Sequence, residues 1–164
     1  VSVDLAKKIT ETAHKYNKKT VGVFVNSSAD EIREIRNAVK LDVIQLHGDE
    51  SPEFCRKLGG TIWKVFRVFD EIPDITPYRE YIEYPLFDTK GKDYGGNGII
   101  FDWSILENLD FLYVLAGGLS KENIEDALKY NPAVLDVNSK VESNNRKDKK
   151  LILDIIDIVK KEKE

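Results

Sequence analysis

Short runs rich in β-branched and aromatic residues alternate along this chain with amphipathic helical segments, and that alternation narrows the fold more than any other feature. The runs cover residues 20–25, 43–46, 62–67, 85–87, 112–115 and 133–137. Each is too short for a helix and dense in strand-forming side chains. They recur about every 20–27 residues, the length of a strand plus a crossover helix, which predicts an α/β fold with a parallel sheet. A doubly wound sheet and a βα barrel both fit this order. No Gly-x-Gly-x-x-Gly follows the first run, which weighs against a dinucleotide fold.

The intervening segments carry helix punctuation. Ser28 with Glu31 forms a capping box ahead of Ile32, Ile35 and Val39, and Ser51-Pro52 places a cap residue before proline at the first helical position. Ser120 is expected to open a helix through Ile124, Ala127 and Leu128 that stops at Asn131-Pro132. A first helix over residues 4–16 is expected to turn Leu5, Ile9 and Ala13 inward. A last one, over residues 148–161, is expected to bury Leu151, Ile152, Ile155, Ile156 and Val159.

The 164 residues are read as one domain, long enough for a real core. A net charge of −4 argues against a general nucleic-acid surface. No apolar run approaches the ~20 residues that span a membrane. The one cysteine, Cys55, forms no internal disulfide and suits a reducing cytoplasm. It falls in a helical segment and is read as a small core residue. With only two histidines, one of them His14 on a helix, a histidine metal site is not expected.

In parallel βα architectures ligands lie at the carboxyl ends of the strands. The residues past each run are Asn26, His47, Arg67, Asp88, Gly117-Gly118 and Asn138-Ser139. Such a rim can hold an anion and move a proton. Gly117-Gly118 between an apolar run and a helix start is a candidate phosphate seat, because glycine lets backbone N–H groups approach an anion. Each residue also has a plainer role: Asp88 as a helix cap, His47 as a loop hydrogen-bonder, Arg67 as an ion-pair partner, Asp136 as a structural carboxylate. Gly95-Gly96-Asn97-Gly98 reads equally as a lid or a plain loop.

Five motifs then follow one another in a familiar order: Val21-Gly22-Val23-Phe24-Val25-Asn26; Val43-Ile44-Gln45-Leu46-His47-Gly48-Asp49-Glu50; Phe87-Asp88-Thr89 with Gly95-Gly96-Asn97-Gly98 and Phe101-Asp102-Trp103; Leu115-Ala116-Gly117-Gly118-Leu119; and Asp136-Val137-Asn138-Ser139-Lys140-Val141-Glu142. Together they resemble the phosphoribosylanthranilate isomerases of tryptophan biosynthesis. The resemblance implies a (βα)8 TIM barrel, of which about six βα units are visible here. It also implies an aldose–ketose isomerase working without cofactor or metal, acting on a small phosphorylated sugar–anthranilate. In that family the acid lands on Asp88, which must hold a proton. The phosphate lands on Gly117, Gly118 and the Asn138–Ser139 turn, Asp136 contacts the substrate chain, and His47 and Arg67 lie on the same rim. Indole-glycerol-phosphate synthesis and histidine-pathway isomerisation share the phosphate seat but not the Gln-Leu-His-Gly and Gly-Gly-Asn-Gly elements.

Two departures set further expectations. The family has Ser-Ser-Gly where this chain has Asn138-Ser139-Lys140. A lysine there either brings positive charge to the phosphate or blocks close backbone approach where a positive φ is needed. The family also opens with a strand ending in Lys-x-Cys-Gly, whose cysteine is the general base, and an arginine after its second strand binds the anthranilate carboxylate. No residues here match either, and there is no methionine. The expectation is an N-terminally truncated chain, whose unpaired sheet edges favour pairing with another copy as a homodimer. The competing expectation is a non-catalytic, phosphate-binding barrel fragment.

Overall fold

The computed structural model describes residues 1–89 and 101–162; Gly95-Gly96-Asn97-Gly98 lies outside them. Six strands, β1 (Val21–Phe24), β2 (Val43–Leu46), β3 (Ile62–Val68), β4 (Tyr84–Thr89), β5 (Val114–Leu115) and β6 (Val134–Leu135), are hydrogen-bonded neighbours in sequence order. The registers of β1 with β2, β2 with β3, β4 with β5 and β5 with β6 are all parallel. The α/β parallel sheet expected from the alternation is therefore present. Among the described residues, no helix is long and apolar enough to cross a membrane.

Two compact units divide the chain. The first comprises residues 1–65 and 74–85. Its α2 (Ala29–Val39) starts where Ser28 Oγ accepts the Glu31 N–H, and its α3 (Pro52–Leu58) where Ser51 Oγ accepts the Phe54 N–H. Both caps satisfy N–H groups that a helix start otherwise leaves unpaired. Every residue of β2 is buried, as in a parallel strand covered on both faces. Phe24, Ile32, Ile44, Leu46, Cys55, Leu58 and Ile62 form the core.

One expectation fails in α1 (Val3–Lys15). Leu5 and Ile9 are 48% and 50% exposed, and the buried residue is Thr10. The helix packs on α2, and its covered side is that of Ala6, Thr10 and Ala13, roughly a quarter turn from the most apolar stripe. On β1, the terminal strand of the order, Val21 and Val23 are exposed.

The second unit comprises residues 66–73 and 86–164. Phe87 is its aromatic centre, with ring centroids 6.5 Å from Phe66, 6.4 Å from Phe111 and 5.6 Å from Tyr113. The helix expected from Ser120 begins later, as α4 (Ile124–Leu128). Ser120 Oγ instead accepts the Glu122 N–H in the preceding turn, and Asn123 Oδ1 accepts the Ser120 N–H. The last helix, α5 (Lys149–Lys161), is capped by Asp148, whose Oδ1 accepts the Lys150 and Leu151 N–H groups. Its stripe is only half covered, and Ile156 is 40% exposed rather than buried, because α4, against which it packs, is a single short helix. After β3 and β4 the expected helices are short 3₁₀ turns, Thr76–Tyr78 and Trp103–Leu106.

Candidate active site

Strand register assembles the rim of the second unit. Leu86 pairs with Val114 and Phe87 with Leu115; Val114 pairs with Val134 and Leu115 with Leu135. The next residues on the three strands are Asp88, Ala116 and Asp136, which therefore stand in one row. Backbone bonds extend the row, from Ala116 N–H to Phe87 O (2.9 Å) and from Asp136 N–H to Leu115 O (2.8 Å). Two half-buried carboxylates thus flank a buried alanine. Asp88 lies one residue inside the end of β4, and Arg67 one residue inside the end of β3, rather than past the strands. Arg67 is exposed on this unit.

The twin-glycine turn sits directly against Asp88. Gly117 and Gly118 have φ of +87° and +70°, a region that L side chains enter at a cost of roughly 1–2 kcal/mol. A Cβ on Gly117 would lie 2.7 Å from Asp88 Oδ1 and 2.6 Å from the Thr89 backbone nitrogen. Only glycine fits. Gly117→Ala is expected to cost about 1–3 kcal/mol of stability through overpacking and to push the Asp88 carboxylate out of place; urea unfolding measures the first effect and ligand titration the second.

Asn138 and Ser139 are exposed and follow Asp136 into a 3₁₀ turn, Ser139–Val141. Asn138 adopts φ −115° and ψ −86°, outside the helical and extended regions. Lys140 has no positive φ, so its side chain strains no backbone at that position. Its charge acts on Glu122, whose carboxyl is held below the usual range first by the Ser120 hydroxyl and, among smaller causes, by Lys140.

His47 and Asn26 belong to the first unit. The His47 N–H donates to Phe24 O at 2.8 Å, and its Nδ1 lies 3.5 Å from Gln45 Nε2. Asn26 has φ +53°, its N–H donates to Glu50 Oε1, and its Oδ1 accepts the Asp49 N–H. Sequence reasoning missed what holds these loops, a Glu50–Lys64 ion pair with side chains only 2% and 4% exposed. It also missed Lys147, which reaches Asn138 in the second unit. Cys55 is buried within α3, and burial pushes its thiol up to about 11, so it supplies no thiolate near neutral pH. Among the described residues no three His, Cys, Asp or Glu side chains converge to hold a metal.

A family model described as N-(5'-phosphoribosyl)anthranilate isomerase matches residues 1–158. The isomerase of that name from Oceanobacillus iheyensis is 39% identical over 161 residues, covering 95% of this chain and 78% of the relative. The crystal structure of the Thermotoga maritima phosphoribosyl anthranilate isomerase superposes with a TM-score of 0.84 at 34% identity, over 98% of this chain and 82% of that one. Another, solved in complex with reduced 1-(O-carboxyphenylamino)-1-deoxyribulose 5-phosphate, gives 0.77 at 30% identity, over 98% and 80%. With its six parallel strands in order and its motifs at the strand ends, the chain belongs to the N-(5'-phosphoribosyl)anthranilate isomerase family.

Proposed function

We propose that this rim binds N-(5'-phosphoribosyl)anthranilate and isomerises it to 1-(2-carboxyphenylamino)-1-deoxyribulose 5-phosphate, with Asp88 as the acid. The close approach of the Gly117 turn to the Asp88 carboxylate carries the reading, because the residues proposed as phosphate seat and proton donor then share one edge. Asp88 gives its proton to the furanose ring oxygen as the C1'–O bond breaks, and the anthranilate nitrogen lone pair forms the C=N bond. A base then takes the C2' proton, and the resulting enolamine becomes the ketone. The substrate gains and loses no atoms overall. Backbone N–H groups of Gly117, Gly118 and Ser139, with the Asn138 side chain, hold the phosphate. Asp136, level with Asp88, accepts from the sugar hydroxyls, and Arg67 serves as a further rim contact. The cysteine that the resemblance makes the base is not among the 164 residues, and Cys55, buried and protonated, does not replace it.

Calorimetric titration with reduced 1-(2-carboxyphenylamino)-1-deoxyribulose 5-phosphate tests this reading. One saturable site, weakened by inorganic phosphate and by Gly117→Ala, is the expected result. No binding at millimolar ligand would overturn it.

A further inference from the structure

We infer that Lys147 is a positioning residue: it turns the Asn138 side-chain amide so that its NH2, not its oxygen, faces the phosphate. The inference rests on the reading that the Asn138–Ser139 turn holds that group. Lys147 lies on β8 (Arg146–Lys147), which pairs antiparallel with β7 (Glu142–Ser143). The two are joined by Asn144-Asn145, with φ of 52° and 58°, the left-handed pair that a tight two-residue hairpin requires. This register sets Lys147 opposite Glu142, and the two side chains form an ion pair of 2.7 Å. The same ammonium donates to Asn138 O at 2.9 Å and to Asn138 Oδ1. An ammonium has three donors and no acceptor, and these three contacts use all of them.

The consequence is chemical. An amide end that meets an ammonium must be the oxygen, so the amide orientation of Asn138 is determined by Lys147 rather than left free. The NH2 end is then turned away from Lys147, where it can donate to an anion. An untethered asparagine on an exposed turn offers oxygen as often as nitrogen, and an oxygen repels phosphate. A serine in this place would need no such device, because its hydroxyl rotates to donate. Lys147 therefore compensates for the asparagine. It does so through geometry, since half of its side chain is exposed to screening water and its charge is already paired with Glu142.

The test compares affinity for the reduced product with affinity for the same compound lacking phosphate. Lys147→Met is expected to weaken the phosphorylated ligand about tenfold and to leave the other unchanged. Asn138→Ser placed in the Lys147→Met chain should bring binding back to within about threefold of the parent. Lys147→Arg keeps the donors and should bind as the parent does. Undiminished phosphate binding by Lys147→Met would overturn the inference, as would a loss that persists in the Asn138→Ser pair, which would mark a direct charge effect. A second readout needs no ligand: ¹⁵N relaxation of the Asn138 side-chain amide should report an ordered group in the parent and a mobile one in Lys147→Met. Equal mobility in both would reject the tether, whereas failure of the parent chain to bind the ligand, with the amide ordered, would count against the phosphate seat alone.

Discussion

Replacing Asp88 by asparagine is expected to lower turnover of N-(5'-phosphoribosyl)anthranilate about 10²–10⁴-fold relative to the parent chain, the usual contribution of a positioned proton donor. Affinity for the reduced product should stay within about threefold, since asparagine keeps the size and hydrogen-bonding reach of the carboxyl and lacks only the transferable proton. This split between rate and binding separates a proton donor from a residue that merely shapes the rim. Gly117→Ala provides the contrast: its Cβ presses on both Asp88 Oδ1 and the Thr89 backbone, so it should impair rate and affinity together. The loss of substrate fluorescence under single-turnover conditions gives the rate directly. An Asp88→Asn rate within a few-fold of the parent would assign the acid elsewhere; the nearest alternative is Asp136, which stands in the same row across β5.

Much of this arrangement was legible in the sequence because it is local. The serines at 28 and 51 and Asp148 announce helix starts through bonds to N–H groups two or three residues on. The strands announce themselves through β-branched side chains. The twin glycine after an apolar run led to a tight turn with positive φ. Asp88 and Gly117 come together by a rule of topology, the level ending of neighbouring parallel strands. Non-local contacts were not legible. Nothing in the amphipathic pattern of α1 says that the Thr10 side is the one covered. The link from Lys147 to Asn138 depends on a hairpin, and its one visible sign is the Asn144-Asn145 pair, two residues that tolerate the positive φ of a tight turn. Lys64 left a clearer trace: a lysine between Ile62 and Phe66 in an apolar strand has no exposed place to go, and so implies a buried partner.

That partner makes Glu50→Ala the most destabilising substitution expected in the first unit, at about 3–5 kcal/mol. Glu50 Oε2 lies 3.3 Å from Lys64 Nζ, with both side chains almost fully buried. The carboxylate also accepts the Asn26 N–H at 2.9 Å and the Gly48 N–H at 3.0 Å. Lys64 Nζ donates further to Gly48 O at 2.8 Å and Val65 O at 3.1 Å, and the Tyr78 hydroxyl donates to Glu50 O at 3.2 Å. Alanine would leave a buried ammonium without its counter-charge and two backbone N–H groups without an acceptor. Glu50→Gln with Lys64→Met removes both charges, and the glutamine oxygen still accepts one N–H. The pair should therefore be less destabilised than Glu50→Ala alone, which urea unfolding of the three proteins measures directly. The loops should respond as well, because Asn26 is held at φ +53° beside a Gly48 that has no room for a Cβ against Asn26 Oδ1. Faster amide exchange at Gly48 and Asp49 in Glu50→Ala, with α1 unchanged, would show that the ion pair holds these two loops in shape; a loss below about 1 kcal/mol would show that water reaches the pair and screens it as on a surface.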